Sequence, residues 1–326
     1  MSSWLRGAAI LLMTLALAGC GGTAPEQPAA SADGAFPVSV QTKFGTTTIN
    51  RRPVRVVAMT WADADFALSL GVVPVGIGRA NYAPTELQPW AAERFAGEKP
   101  VVFDSRDGAP VERVASLRPD IILATKDFRL DDGYAQLSRV APVVGYLNGP
   151  NNDTWQHSLR AVATALGKAD EGKRVVDDTE GWMAAQKAAH PELADKTFAY
   201  VIAADSSALN TVNSTDDVSA GILTALGLRL SPTVLGLPTG SIPGRAPVSG
   251  ENLGVVDADV LIGAGTQPGL AGLERHPVFV ALPSVRRGAF VPIDNQVANA
   301  LAYPTPLSLR WALPRLIPHL SDAANR

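Results

Sequence analysis

VERVASLRPDIIL, residues 111–123, has a second copy in GENLGVVDADVLI, residues 250–262. Each stretch carries a glutamate, apolar residues two and five positions on, an aspartate eight on, and then three apolar residues. The first set is Glu112, Val114, Leu117, Asp120 and Ile121–Leu123; the second is Glu251, Leu253, Val256, Asp259 and Val260–Ile262, and the two glutamates lie 139 positions apart. The spacing predicts a short helix that opens on the glutamate and feeds a buried strand. A carboxylate in a first helical turn is favoured by the helix dipole by about 0.3–1 kcal/mol. That accounts for one glutamate; two at the same place in related units ask for a shared role. The repeat predicts two α/β lobes of similar plan.

The surrounding sequence extends the alternation. VSVQTKFGTTTI (38–49) has the alternation and glycine turn of a hairpin. Apolar strands are expected in VRVVAMT (54–60), VVPVGIG (72–78), IILAT (121–125) and PVVGYL (142–147), with a helix over ADADFALSLG (62–71). TWQHSLRAVATALG (154–167) and the longer ADEGKRVVDDTEGWMAAQKAAH (169–190) are helical, the first capped by Asp153 or Thr154. Strands and helices then resume with TFAYVIAA, SAGILTALGL, VLIGA and FVPID, and PLSLRWALPRLIPHL (306–320) reads as a terminal helix. The fold class is α/β: two lobes with parallel-type sheets flanked by helices, divided by the long helical stretch. The expected boundaries are an N-terminal lobe over 37–152, connecting helices over 153–196 and a C-terminal lobe over 197–326.

The start of the chain is of another kind. MSSWLRG carries one charge, Arg6, and residues 8–19 carry none. A basic head, a short apolar core and a small-residue exit read as a secretory signal peptide over 1–19. The run is too short for a membrane span, which needs about 20 apolar residues. Leu17-Ala18-Gly19-Cys20 resembles the bacterial lipoprotein cleavage box, so Cys20 is expected to carry a lipid. It is the only cysteine, so the mature chain would have no disulfide. Residues 20–36, rich in Gly, Ala, Pro and Ser, read as a flexible tether. The charge of −3 becomes −4 when Arg6 leaves, and no Lys/Arg-rich run exists, which argues against nucleic acid as a partner.

Taken in order, these stretches resemble the substrate-binding lipoproteins of bacterial ABC importers for ferric siderophores and cobalamin, the class III, helical-backbone periplasmic binding proteins. The likeness rests on RVVAMTWADADFALSLGVVPVGIG, ERVASLRPDIILA, LSRVAPVV, the long central helix, the second Glu–Asp unit and the ending YPTPLSLRWALPRL. It implies two lobes joined by one rigid helix, with the ligand in the cleft between them. It further implies a monomer tethered by Cys20 to the cell membrane, in the periplasm or on the outer face. Glu112 and Glu251 stand where similar proteins dock onto arginines of the ABC permease. Arg106, in FDSRDGAP, stands where related siderophore binders contact the iron-chelating oxygens.

Ligand-binding residues are expected in loops after strands: Trp61, Arg79, Tyr82, Arg106, Phe128 and Arg129 from the first lobe, and Asn210, Arg245 and Tyr303 from the second. Guanidinium groups present planar donors to anionic oxygens, which suits a ferric chelate. Trp90, Trp182 and Trp311 fall in helical pattern and are expected to pack, whereas Trp61 and Trp155, near helix starts, face the expected cleft. The paired aspartates of ADADF read as a helix cap. The four histidines are scattered without a metal-ligand spacing, so no resident metal or cofactor is expected and iron(III) would arrive inside its chelator. No G-x-S-x-G or convincing acid–base pair occurs, so an enzyme is not expected. Cobalamin or haem binding, with Tyr82 or Tyr303 as an axial ligand for haem, is the alternative within transport. An exported, tethered α/β enzyme is the alternative outside it.

Overall fold

A hairpin of β1 (Val38–Thr42) and β2 (Gly45–Ile49) precedes two sheets. The computed structural model describes residues 35–79, 87–95, 97, 99–105, 108–203 and 209–326; the signal segment, the tether with Cys20, and the loop residues Tyr82 and Arg106 lie outside the described residues.

The first sheet holds β3 (Val56–Ala58), β4 (Gly76–Gly78), β5 (Val101–Phe103), β6 (Ile121–Ala124) and β7 (Val143–Gly145), all parallel, in the order β5-β4-β3-β6-β7. Its two central strands are buried at every position, which is why they read as unbroken apolar runs. Helices α1 (Trp61–Ser69), α2 (Val111–Ser116) and α3 (Leu130–Leu137) connect the strands. Gly78 has to be glycine, because a Cβ there would collide with the Met59 carbonyl. That close approach sets where the chain leaves β4.

Two helices follow: α4 (Trp155–Ala165), capped by Thr154, and α5 (Ala169–Ala189). The second sheet comprises β8 (Thr197–Ala203), β9 (Leu209–Val212), β10 (Arg229–Leu230), β11 (Arg245–Pro247), β12 (Val260–Gly265) and β13 (Phe290–Pro292), with α6 (Val218–Ala225) after β9. Its order is β11-β9-β8-β12-β13, with β10 also pairing with β8. The expectation of parallel-type sheets needs one correction here, since β9 runs antiparallel to both β8 and β11. LNTV and RAP are short and half polar, and a hairpin-type return leaves no crossover helix to announce them.

The two copies of the sequence pattern occupy the same place in the two sheets. Glu112 lies in the first turn of α2 and Glu251 in the first turn of a 3-10 helix, Gly250–Val256. Each unit leads into the strand that pairs in parallel with the first central strand of its sheet, β6 with β3 and β12 with β8. The two aspartates perform one job. Asp120 accepts from the backbone N–H groups of Val54 and Arg55, just before β3. Asp259 accepts from the backbone N–H and hydroxyl of Thr197, at the start of β8. Burial opposes ionisation of Asp120, but the N–H groups of Arg55 and Val54 and the charge of Arg51 hold its carboxyl below the usual range. Asp259 is lowered chiefly by the Thr197 N–H.

The lobes share one large interior, while the first lobe keeps a second cluster of its own around Val57, Met59, Phe103, Val114 and Ile122. One apolar cluster runs from Val56 and Phe66 through Leu159, Val176 and Met183 to Phe198 and Leu313. The C-terminal helix, Pro306–Ala324, packs against α1 of the first lobe. Its cap, Thr305, donates to Asp65 across 240 residues of sequence, at 2.7 Å. A shared core of this kind favours small lobe adjustments over wide hinge closure.

Candidate functional site

In the first sheet the strand order reverses between β3 and β6, and ligands of open α/β sheets collect beyond the carboxyl ends of strands at such a point. The residues found there are Thr60, Trp61 and Ala62 after β3, Arg79 after β4, Ser105 after β5 and Lys126, Asp127, Phe128 and Arg129 after β6; with Tyr303 from the other lobe they enclose a hollow of about 260 Å³. Phe128 and Tyr303 also line an adjoining space of about 590 Å³ that reaches Arg245, Ile242 and the loop 149–152. The two spaces together form a cleft with walls from both lobes.

Five sequence candidates therefore meet in one place: Trp61, Arg79, Phe128, Arg129 and Tyr303. Arg245 borders the adjoining space. Asn210 is placed within β9, opposite Ile202 and Pro247, and is not among the residues lining either space. Trp155 lines a different hollow, on the side of α5. Phe128, half exposed, stands edge-on to Tyr303 at 5.9 Å, and Tyr303 stands edge-on to Trp61 at 6.0 Å. Trp61 continues inward to Trp90 at 5.4 Å and Trp90 to Trp311 at 5.1 Å, so those two tryptophans pack as expected.

The cleft floor holds charges that the sequence reading passed over. Lys126 is 6 % exposed, and its Nζ donates to the carbonyls of Pro150 at 3.0 Å and Asp153 at 2.7 Å. It thereby ties the loop after β7 to the end of β6. Burial pulls its pKa down to about 8, against the opposing pull of Asp63 and Asp153. Asp127, beside it, is raised to about 6 by burial and by the nearby Asp63 charge. The sequence signal for Lys126 is its place in KDFR, immediately after an apolar strand and beside the candidates Phe128 and Arg129.

ADADF differs from its expected role. The α1 cap is Thr60, whose hydroxyl accepts from the Asp63 N–H at 3.1 Å. Asp63 accepts from the Thr60 hydroxyl and from the N–H and hydroxyl of Thr125, at 2.6–2.8 Å. It fastens the two loops that flank the switch point. Burial raises its carboxyl despite these donors. Asp65 turns the other way, toward Trp90 and Thr305.

Chemically, the hollow of the first lobe gathers three cationic side chains, Arg79, Lys126 and Arg129, around three aromatic rings, with Asp127 as the acidic lining residue. Such a lining suits a ligand with anionic oxygens and flat or apolar parts.

Comparison with known proteins agrees with this geometry. A profile described as periplasmic binding protein matches residues 56–297. YhfQ of Bacillus subtilis, named as an ABC transporter substrate-binding lipoprotein, is 26% identical over 311 residues, covering 88% of this chain and 89% of that protein. YfmC of the same organism, named as an Fe(3+)-citrate-binding protein, is 27% identical over 212 residues, covering 64% of this chain and 65% of that one. The structure of PiaA from Streptococcus pneumoniae in complex with ferrichrome superposes with a TM-score of 0.75 at 27% identity, over 88% of this chain and 99% of PiaA. With the profile spanning most of the chain, the chain belongs to the periplasmic binding protein family.

Proposed function

We propose that the chain captures a ferric siderophore in the cleft between its lobes and delivers it to an ABC importer. The observation that carries this reading is the cluster of Arg79, Lys126 and Arg129 around Trp61, Phe128 and Tyr303 at the strand-order reversal. Iron(III) is cargo, held by its chelator, and the protein supplies donors to the anionic oxygens of the complex. The shared core supports a binder that adjusts slightly around its ligand. Binding without turnover is the whole of the activity. The names of the relatives, two of which bind ferric complexes by their printed descriptions, support the same substrate class. In this reading the protein is exported, lipidated at Cys20 and held at the membrane through residues 20–36, and Glu112 and Glu251 meet the permease.

The test uses Trp61, whose ring borders the hollow. Residues 23–326 are titrated with ferric hydroxamate, catecholate and carboxylate siderophores, cobalamin and haem while tryptophan fluorescence is followed. Submicromolar quenching by one ferric chelate class is expected. Quenching by cobalamin or haem alone would replace the substrate, and silence across the panel would remove the binding function. With the binding chelate, Arg106→Ala is expected to weaken affinity more than tenfold, the loss of about 1.5 kcal/mol that a charged hydrogen bond supplies. An unchanged affinity would place that side chain outside the site.

A further inference from the structure

A second hollow, of about 490 Å³, lies on the connecting-helix side of the molecule, between α5 and α6. Its volume falls in the range of small-molecule sites, roughly 300–1,000 Å³. Trp155, Met183, Ile222, Val218, Ala225 and Pro304 give it an apolar interior. Gly221 opens it further, since a Cβ on that residue would meet nothing within 4 Å.

Two observations say what would occupy it. The first is charge. Asp153, Glu180, Asp216 and Asp217 border the hollow against a single ammonium, that of Lys187. Asp153 and Asp217 are engaged by backbone N–H groups, Leu147 and Asn148 for one, Ser219 and Ala220 for the other. Glu180 on α5 and Asp216 in the loop before α6 remain at the rim, on opposite walls, and Glu180 accepts only from the Gln156 amide among the described residues. Lys187 lies two turns further along α5, beside Gly227 beyond the other end of α6. The acidic pair thus has one end of the hollow to itself.

The second is Trp155. It is 5 % exposed, and its indole N–H has no acceptor among the described residues. The nitrogen is not sealed among apolar atoms, and the side chain lines this hollow. A tryptophan that is nine-tenths buried and whose indole N–H lacks a protein acceptor can donate to a group held in the hollow it lines.

We infer that the α5–α6 hollow is a second binding site, for a small apolar ammonium compound bearing a carbonyl or ether oxygen. The ammonium lies between Glu180 and Asp216, the apolar body covers Met183 and Ile222, and the oxygen accepts from Trp155. The hollow adjoins the cleft, with which it shares Asn151, Asn152, Asp216, Asp217 and Val218, but it rests on its own apolar lining and its own probe, so either reading can fail alone.

Phenylalaninamide, which has an ammonium, an aromatic body and a carbonyl, is the probe, and N-acetylphenylalanine, without the ammonium, is its counterpart. Calorimetry on the purified protein at low salt is expected to give saturable phenylalaninamide binding with a Kd below about 1 mM, at least tenfold tighter than N-acetylphenylalanine. Gly221→Trp fills the hollow and is expected to weaken phenylalaninamide at least tenfold without altering cleft binding. Glu180→Gln with Asp216→Asn, both exposed positions, is expected to erase the preference for the ammonium even where the filled variant does not fold. No saturable binding to the unaltered protein, equal binding of the two probes, or a preference that survives the Glu180/Asp216 pair would each overturn the site.

Discussion

A protein carrying Glu112→Ala and Glu251→Ala together is expected to bind its ligand with unaltered affinity and to fail in uptake. Both carboxylates are exposed and neither makes an ion pair among the described residues. Each sits in the first turn of its short helix, where the dipole contributes at most about 1 kcal/mol. Removal should therefore move Tm by no more than a few degrees. Neither residue lines the cleft. What the pair has is equivalent placement in two lobes locked together by a shared core. Two charges held at a fixed separation set the register and the rate of encounter with a complementary surface, even where each adds little affinity. Single variants should retain part of the uptake, and the double variant should retain little. Ligand affinity is measured on the purified protein and uptake in cells that depend on it. Full uptake by the double variant would remove the docking role and leave the repeated glutamates with only their helix-dipole effect.

The same repeat marks how far the sequence was legible. The Glu–Asp unit was visible because it belongs to the half of each sheet built alike, β3 with β6 and β8 with β12. The other half of the second sheet was not visible. There β9 and β11 replace parallel strands with antiparallel ones, and Asn210 and Arg245, taken as loop candidates, fall inside them. Short, half-polar strands have no periodicity long enough to separate them from loops. Trp61, Arg79, Phe128 and Arg129 were legible because they follow apolar strands closely, whereas Tyr303 ends the helix Asn295–Ala302. Lys126 and Asp63 were harder. Their roles depend on partners brought in by folding, the Pro150 and Asp153 carbonyls for one and Thr125 for the other. The function of Asp120 and Asp259 is similar: the sequence showed that they recur, and only the fold showed that each holds the start of the neighbouring strand.

Asp65 carries the largest stability effect expected of a single residue. Its Oδ2 accepts from the Trp90 indole and from the Thr305 hydroxyl, each at 2.7 Å, while its Oδ1 is buried with no partner. Burial raises this carboxyl to about 7, with the Thr305 and Trp90 hydrogen bonds opposing. The folded state thus holds a proton there that the unfolded state releases near pH 4. The sign follows from linkage. Stability from this group is fully present below pH 4, declines as pH rises toward 7 and is flat above. Across that window the change is on the order of 4 kcal/mol, from a shift of about three units at 1.4 kcal/mol each. Asp65→Asn keeps an oxygen for both donors and cannot ionise. The stability of the unaltered protein relative to Asp65→Asn should therefore fall between pH 4 and pH 7, read as urea midpoints in matched buffers. Asp65→Ala takes the acceptor away and leaves the Trp90 N–H and the Thr305 hydroxyl unpaired in the interior, a loss of about 1–3 kcal/mol for each. Because Thr305 also caps the C-terminal helix against Ser308, that loss is felt where the second lobe rests on α1. A flat difference between the unaltered protein and Asp65→Asn would mean that Asp65 stays ionised in the fold. The link between the lobes would then be a buried charge held by two donors rather than a neutral acid.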